Sequence, residues 1–200
     1  MEPIYDLLVS HLQCWSKGDL DALLDGWRSF NLDEYIGLPK TDKRSFSSYM
    51  WHSLGDPLQL TSKQLRVPDG FAEDPHQEAK SYADELASLG GISFQLLGLG
   101  VNGHIGFNEP PCDDSTNCRV VDLSDETRRQ NSFAFQGSYS LVPKQAITLG
   151  LNEILNAEEI HLIVTGITKS KVITSLFTSP ISENLPVSWL RKHQNLFLWA

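Results

Sequence analysis

The sequence predicts an α/β fold: a three-layer, Rossmann-like domain on a largely parallel sheet, running as one unit over residues 1–200. Three observations carry this reading. Short apolar runs alternate with amphipathic segments along the chain, the pattern of strand–helix units. The hydrophobic fraction of 40% and charged fraction of 20% suit one sizeable core. No stretch rich in Pro, Gly or Ser divides the chain, and no internal repeat stands out.

From Pro3 to about Trp15, Ile4, Leu7, Leu8 and Leu12 recur at helical spacing, with Pro3 suited to a first turn. Trp27 to Leu32 reads as a strand that stops at Asp33-Glu34, and Ser45 to Leu54 as a helix. Gln64 to Val67 is a short extended piece before Pro68-Asp69-Gly70. Asp74-Pro75 opens an amphipathic helix to about Leu89, which Gly90-Gly91 ends. Phe94 to Leu99 and Arg119 to Leu123 are strands, and Ser124-Asp125-Glu126 starts a helix by its capping chemistry. Further strands fall at Ala146–Leu149, Ile160–Thr165 and Leu196–Trp199, and helices at Asn152–Ala157, Lys169–Thr178 and Val187–His193.

Composition excludes several function classes. The net charge of −9 argues against nucleic acid or an anionic membrane as partner, though not against a small anionic metabolite held by a few local donors. Three cysteines, Cys14, Cys112 and Cys118, show no CxxC spacing, so neither a disulfide framework nor a zinc site is expected. The start Met1-Glu2-Pro3-Ile4-Tyr5-Asp6 lacks the features of a signal peptide, and no apolar run has membrane-spanning length. A cytoplasmic protein is expected.

The run Leu96-Leu97-Gly98-Leu99-Gly100-Val101-Asn102-Gly103-His104-Ile105-Gly106-Phe107-Asn108-Glu109-Pro110 is the most informative stretch. An apolar strand ends in a glycine-spaced turn that delivers an amide, an imidazole and a carboxylate in quick succession. Such a loop is where open α/β sheets place their ligand. Gly98, Gly100 and Gly103 match a dinucleotide fingerprint, with Asp122 an apt distance downstream. That fingerprint needs a long helix starting at the glycines, and Pro110-Pro111 with Asp113-Asp114-Ser115 interrupts one. A metal is not expected either, because His104 and Glu109 lack a third ligand at helpful spacing. General acid–base work suits them better: Glu109 would accept from one ring nitrogen of His104 and fix its tautomer. The plainer alternative is that both residues only tie down the loop.

A second constellation is Phe30-Asn31-Leu32-Asp33-Glu34-Tyr35-Ile36-Gly37-Leu38-Pro39. Adjacent acids at a strand end turn one carboxylate toward the ligand crevice and the other away. Alternatively, Asp33 caps the following turn.

Asn31 through Pro39 and Leu97 through Pro110 together resemble the two signature stretches of the glucosamine-6-phosphate deaminase/isomerase family, and Val142-Pro143-Lys144-x-Ala146-Ile147-Thr148-Leu149-Gly150 adds a third match. The resemblance runs from about Pro3 to the C-terminus. The related sugar-lactonase branch lacks the Phe-Asn-Glu-Pro continuation, so the deaminase side is favoured. Leu185-Pro186-Val187-Ser188-Trp189-Leu190 is similar to galactosamine-6-phosphate members, which leaves the sugar epimer open.

The resemblance implies a hexosamine 6-phosphate substrate, isomerised and deaminated to a ketohexose 6-phosphate and ammonia with no cofactor and no metal. It implies that Asp33 is the base moving a proton between C1 and C2, that His104 is the ring-opening acid–base group and that Glu109 supports it. Asn102, where some members carry aspartate, would orient His104 or a sugar hydroxyl without adding charge. Gly100 and Gly103 would admit substrate, and Lys169 would bind its phosphate; the alternative for Lys169 is a solvated charge early in a helix. The sequence leaves the oligomeric state open, a homo-oligomer among the possibilities.

Two departures stand out. An arginine that many members use for phosphate should fall near Asn131-Ser132-Phe133, where this chain offers Phe133. Members also carry a first strand and a Gly-Gly/Ser-Thr-Pro turn before the helix that begins here at Pro3, so the resemblance implies that the N-terminal strand and its phosphate donors are missing. The rival reading is a non-catalytic, sugar-phosphate-binding short form of the same fold.

Overall fold

The computed structural model describes residues 2–200. Helices α1 (Glu2–Leu12) and α2 (Lys17–Asp25) precede β1 (Ser29–Phe30), β2 (Asp33–Tyr35) and α3 (Phe46–Met50), which runs on into a π-helical turn over Trp51–Gly55. Next come β3 (Leu65–Arg66), α4 (Pro75–Ser88), β4 (Phe94–Gly98), β5 (Arg119–Asp122) and α5 (Asp125–Asn131). The last quarter holds β6 (Gln145–Thr148), α6 (Leu151–Leu155), β7 (Glu159–Ile163), α7 (Ser170–Thr178), a 3-10 segment over Pro186–Lys192 and β8 (Leu196–Trp199).

The α/β class is as expected, but the sheet is mixed rather than largely parallel throughout. A parallel sheet has the order β4-β7-β8, a separate antiparallel sheet the order β2-β6-β5, and β1 pairs with β3 in parallel. Sequence misses the split for a physical reason. Ala146, Ile147 and Thr148 are all fully buried, so their strand reads as the continuous run of a covered parallel sheet. Only pairing partners distant in sequence reveal its direction.

The main core packs Leu97 and Leu99 of the β4 region, Ile160 and Leu162 of β7, Leu151 and Ile154 of α6, and Val172 and Leu176 of α7. Each fully buried aliphatic side chain here contributes about 1.5–3 kcal/mol relative to exposure. The other face of the parallel sheet is open: Phe94, Phe197 and Trp199 are 57%, 45% and 56% exposed, and they surround the His161 ring. A second core joins Val9 and Leu12 of α1 to Met50 and Leu54, while Leu7, expected on the buried face, is exposed.

Three local expectations change. Helix α2 went unread, although Ser16 caps it by accepting from Asp19 N–H and Leu20, Leu23 and Leu24 pack inward at helical spacing. Pro186–Lys192 winds as 3-10 rather than α. The strand expected to stop at Asp33-Glu34 does the reverse: β1 is short, and the two acids open the next strand.

Candidate active site

Strand β2 carries Asp33 through its pairing with β6, which sets Asp33 opposite Thr148 and Glu34 opposite Ile147. Successive residues of a strand point to opposite faces, so the two carboxylates diverge. Glu34 turns inward. Its carboxylate accepts from the N–H groups of Tyr35 (2.8 Å), Phe46 (3.0 Å) and Ser47 (2.7 Å), the last two at the start of α3. Among the described residues no backbone N–H donates to the Asp33 carboxylate, so it caps no turn. Burial first, and the charge of Glu34 second, push its carboxyl up to about 7. An acid so placed is half ionised near neutrality, the poise expected of a general base.

The loop after β4 delivers His104. Gly100 N–H donates to His104 O at 2.9 Å, and a Cβ on Gly100 would lie 2.3 Å from the imidazole atoms. Only glycine there lets the ring fold back over the turn. Asn102 Oδ1 accepts from His104 N–H at 3.2 Å and sits 2.6 Å from Nδ1. An oxygen that already accepts a backbone N–H can only accept from the ring too, so Nδ1 carries the proton and Nε2 is left for chemistry. The tautomer is thus fixed by Asn102, not by Glu109 as expected. Glu109 instead takes the N–H of Ser124 on Oε2 at 3.1 Å, and its buried Oε1 has no hydrogen-bond partner among the described residues.

Burial lowers the His104 pKa, Glu109 pulls it back up, and the charge of Lys169 lowers it further. His104 is therefore neutral at physiological pH and able to take a proton. Lys169 lies in the turn Ile167–Lys169 that follows β7 and leads into α7, half-buried, with its own pKa lowered by burial. Its backbone N–H donates to Gly166 O at 3.1 Å, but its ammonium makes no hydrogen bond or ion pair among the described residues, which suits a cation kept for a ligand.

The two halves meet at Thr148. Its Oγ1 accepts Phe107 N–H at 3.2 Å, Leu149 N–H donates to Leu32 O at 2.9 Å, and Gly106 lies against Leu32. The histidine loop is thereby bonded to the strand pair that presents Asp33. Sequence reasoning named Thr148 only within a matching stretch and gave it no role; nothing in the local pattern singles it out. Asn108, fully buried, also clamps the loop by donating to Ile105 O and Leu149 O. Gly103, at φ +85°, has its carbonyl bound by Val187 N–H and packs against Leu185 and Val172, while its own N–H goes to Gly100 O.

No helix follows the glycines before β5, which removes the anion site that a dinucleotide would need. Among the described residues no group of three or more His, Cys, Asp or Glu could hold a metal ion. No helix among them is long and apolar enough to cross a membrane. Phe133, where an arginine was sought, is 93% exposed.

Known proteins are similar to this chain in sequence and fold. Residues 2–199 match the family described as glucosamine-6-phosphate isomerases/6-phosphogluconolactonase. A glucosamine-6-phosphate deaminase of Oceanobacillus iheyensis is 44% identical over 172 residues, covering 86% of this chain and 68% of that one. One of Shouchella clausii is 42% identical over 173 residues, covering 86% and 70%. A solved monomeric glucosamine-6-phosphate deaminase superposes with a TM-score of 0.92 at 33% identity, over 99% of this chain and 80% of that one. The 6-phosphogluconolactonase of Trypanosoma cruzi, at 19% identity and a TM-score of 0.73, shares the fold. With its strand-borne acid and histidine loop tied together at Thr148, the chain belongs to the glucosamine-6-phosphate isomerase/6-phosphogluconolactonase family.

Proposed function

We propose that the protein is an amino-sugar-phosphate deaminase that converts glucosamine 6-phosphate and water to fructose 6-phosphate and ammonia. The observation that carries this reading is that Thr148 ties the His104 loop to the strand presenting Asp33, with the imidazole Nδ1 held on Asn102 and Nε2 left free. Burial, which raises the Asp33 carboxyl to about 7, suits it to act as the base. The relatives favour the gluco epimer over the galacto one.

In this reading His104 moves the proton between the ring oxygen and the anomeric hydroxyl that opens the sugar. Asp33, as carboxylate, takes the C2 proton and returns it to C1, leaving an imine carbon at C2. Water adds there and ammonia leaves, so every step is a proton transfer or an addition. Asn102 holds the imidazole, and Glu109 Oε1 offers an acceptor to the imidazolium or to a substrate hydroxyl. Lys169 takes the phosphate. Gly100 and Gly103, whose N–H groups are already used inside the loop, contribute close approach rather than hydrogen bonds.

The same reading makes this a cytoplasmic enzyme of amino-sugar metabolism without a nucleic-acid or membrane partner. The test is to incubate the folded protein with glucosamine 6-phosphate and, separately, galactosamine 6-phosphate, and to measure ammonia and ketose phosphate. Ammonia from the gluco substrate is expected. Tight binding of either sugar phosphate with no ammonia would establish the non-catalytic reading instead.

A further inference from the structure

Glu34 is 1% exposed and takes no part in the chemistry above, yet it is the immediate neighbour of Asp33. A buried carboxylate is costly unless its oxygens are bonded. Here both are: Oε1 accepts from Tyr35 and Phe46, Oε2 from Ser47, so an ion is held by three backbone donors with no side-chain cation. Two of those donors are free N–H groups at the start of α3, beside the Ser45 cap, so the carboxylate does for the helix what a capping side chain does.

The surroundings are built to the same end. A Cβ on Gly70 would lie 1.9 Å from Tyr35 O and 3.1 Å from Glu34 Cγ, so glycine lets the neighbouring loop close directly over this strand. Gly37 N–H then donates to Gly70 O at 2.7 Å. Tyr35 stacks on Phe46 with ring centroids 5.0 Å apart, fixing the same two elements from the other face. Strand β2 has only three residues, and its β6 ladder alone sets register without setting its tilt.

We propose that Glu34 is a positioning residue for the deamination: by clamping β2 to the start of α3, it fixes the direction in which Asp33 meets the sugar. The proposal rests on Asp33 being the base. The ionisable groups facing Asp33 are Tyr5 of α1, Glu34 and Tyr35 of its own strand, and Tyr82 of α4; Asp69 faces Glu34.

Three variants test it together, each checked for a native fold by circular dichroism: Glu34→Gln, Glu34→Asp and Asp33→Asn. Glu34→Gln keeps size but aims an amide N–H at backbone donors, so kcat should fall roughly ten- to a hundredfold with KM nearly kept. Because it also removes a negative neighbour, the acidic limb of its kcat–pH profile should move to lower pH. Glu34→Asp keeps the charge but withdraws it from the amides, so kcat should fall while the limb stays. A merely stabilising Glu34 would change the fraction folded, and in Glu34→Gln would move the limb by its charge alone, but would leave kcat per folded molecule above the limb unchanged in both variants.

The proposal is overturned if folded Glu34→Gln turns over like the parent above the limb, if folded Glu34→Asp does so, or if neither Glu34 variant folds. In that last case Glu34 determines the fold rather than the aim of Asp33. Full turnover by Asp33→Asn would overturn the base assignment separately, whatever the Glu34 variants do.

Discussion

The two acid–base residues sit in contrasting parts of the molecule. Asp33 lies inside the antiparallel sheet, where β6 sets its register and burial sets its ionisation. His104 lies on the loop that leaves the parallel sheet, where a glycine makes room for its ring and one amide side chain sets its tautomer. The strand site gets its direction from long-range pairing, and the loop site gets its own from contacts two to four residues away. One is therefore vulnerable to changes of charge, the other to changes of backbone freedom.

The largest expected effect comes from Asp33→Asn, which keeps the shape and removes the base. Turnover should drop by about a hundred- to ten-thousandfold with binding retained. In the parent, turnover should fall as pH drops through about 7, because the base must be ionised. The stability effect runs the other way. A carboxyl raised to about 7 in the folded chain holds its proton where the unfolded chain, at about 4, has released it. Stability is therefore lost as pH climbs from about 4 to 7, by an amount on the order of a few kcal/mol. Asp33→Asn should melt higher than the parent at pH 8 and no higher at pH 4. Equal melting temperatures at pH 8 would show that burial does not tax the ion.

Gly100→Ala tests the loop half. The added Cβ meets the imidazole at 2.3 Å, so the ring must swing out of the site. Activity should fall by about a hundredfold while the Asp33-linked rise in melting temperature toward low pH survives. Should both halves fail together, the loop and the strand pair would be one cooperative unit joined through Thr148, rather than two independently set groups.

The smallest effect is expected from Asn102→Asp. An anion 2.6 Å from Nδ1 favours the imidazolium, so the limb reporting His104 should move to higher pH, opposing the lowering that burial imposes. The change in kcat should stay under about tenfold, since the orientation is kept. An unmoved limb would mean that His104 does not titrate in the measured range.

Much of this was legible from the chain. Ser124 and Asp74 announced their helices by capping, and the run into Gly98–Pro110 announced the ligand loop, because these signals act between residues close in sequence. The resemblance of the Asp33 and His104 stretches marked both halves of the site. The loop pattern read by itself gave the ring nitrogen to Glu109, while the resemblance allowed Asn102 to orient His104: side-chain reach across a five-residue turn decides between Asn102 and Glu109, and spacing does not contain it.

What the sequence determined by itself is therefore the α/β class, most of the elements, the family and the two reactive stretches. Each is written in local periodicity, capping chemistry or contiguous pattern. Tertiary structure alone decided that the sheet divides, that Asp33 sits within a strand opposite Thr148, that Glu34 is clamped to α3, and that Asn102 holds the imidazole. These depend on which distant backbones meet and on how buried charges find donors. A short strand of three or four residues pairs in either direction until a partner and the buried volume around it choose.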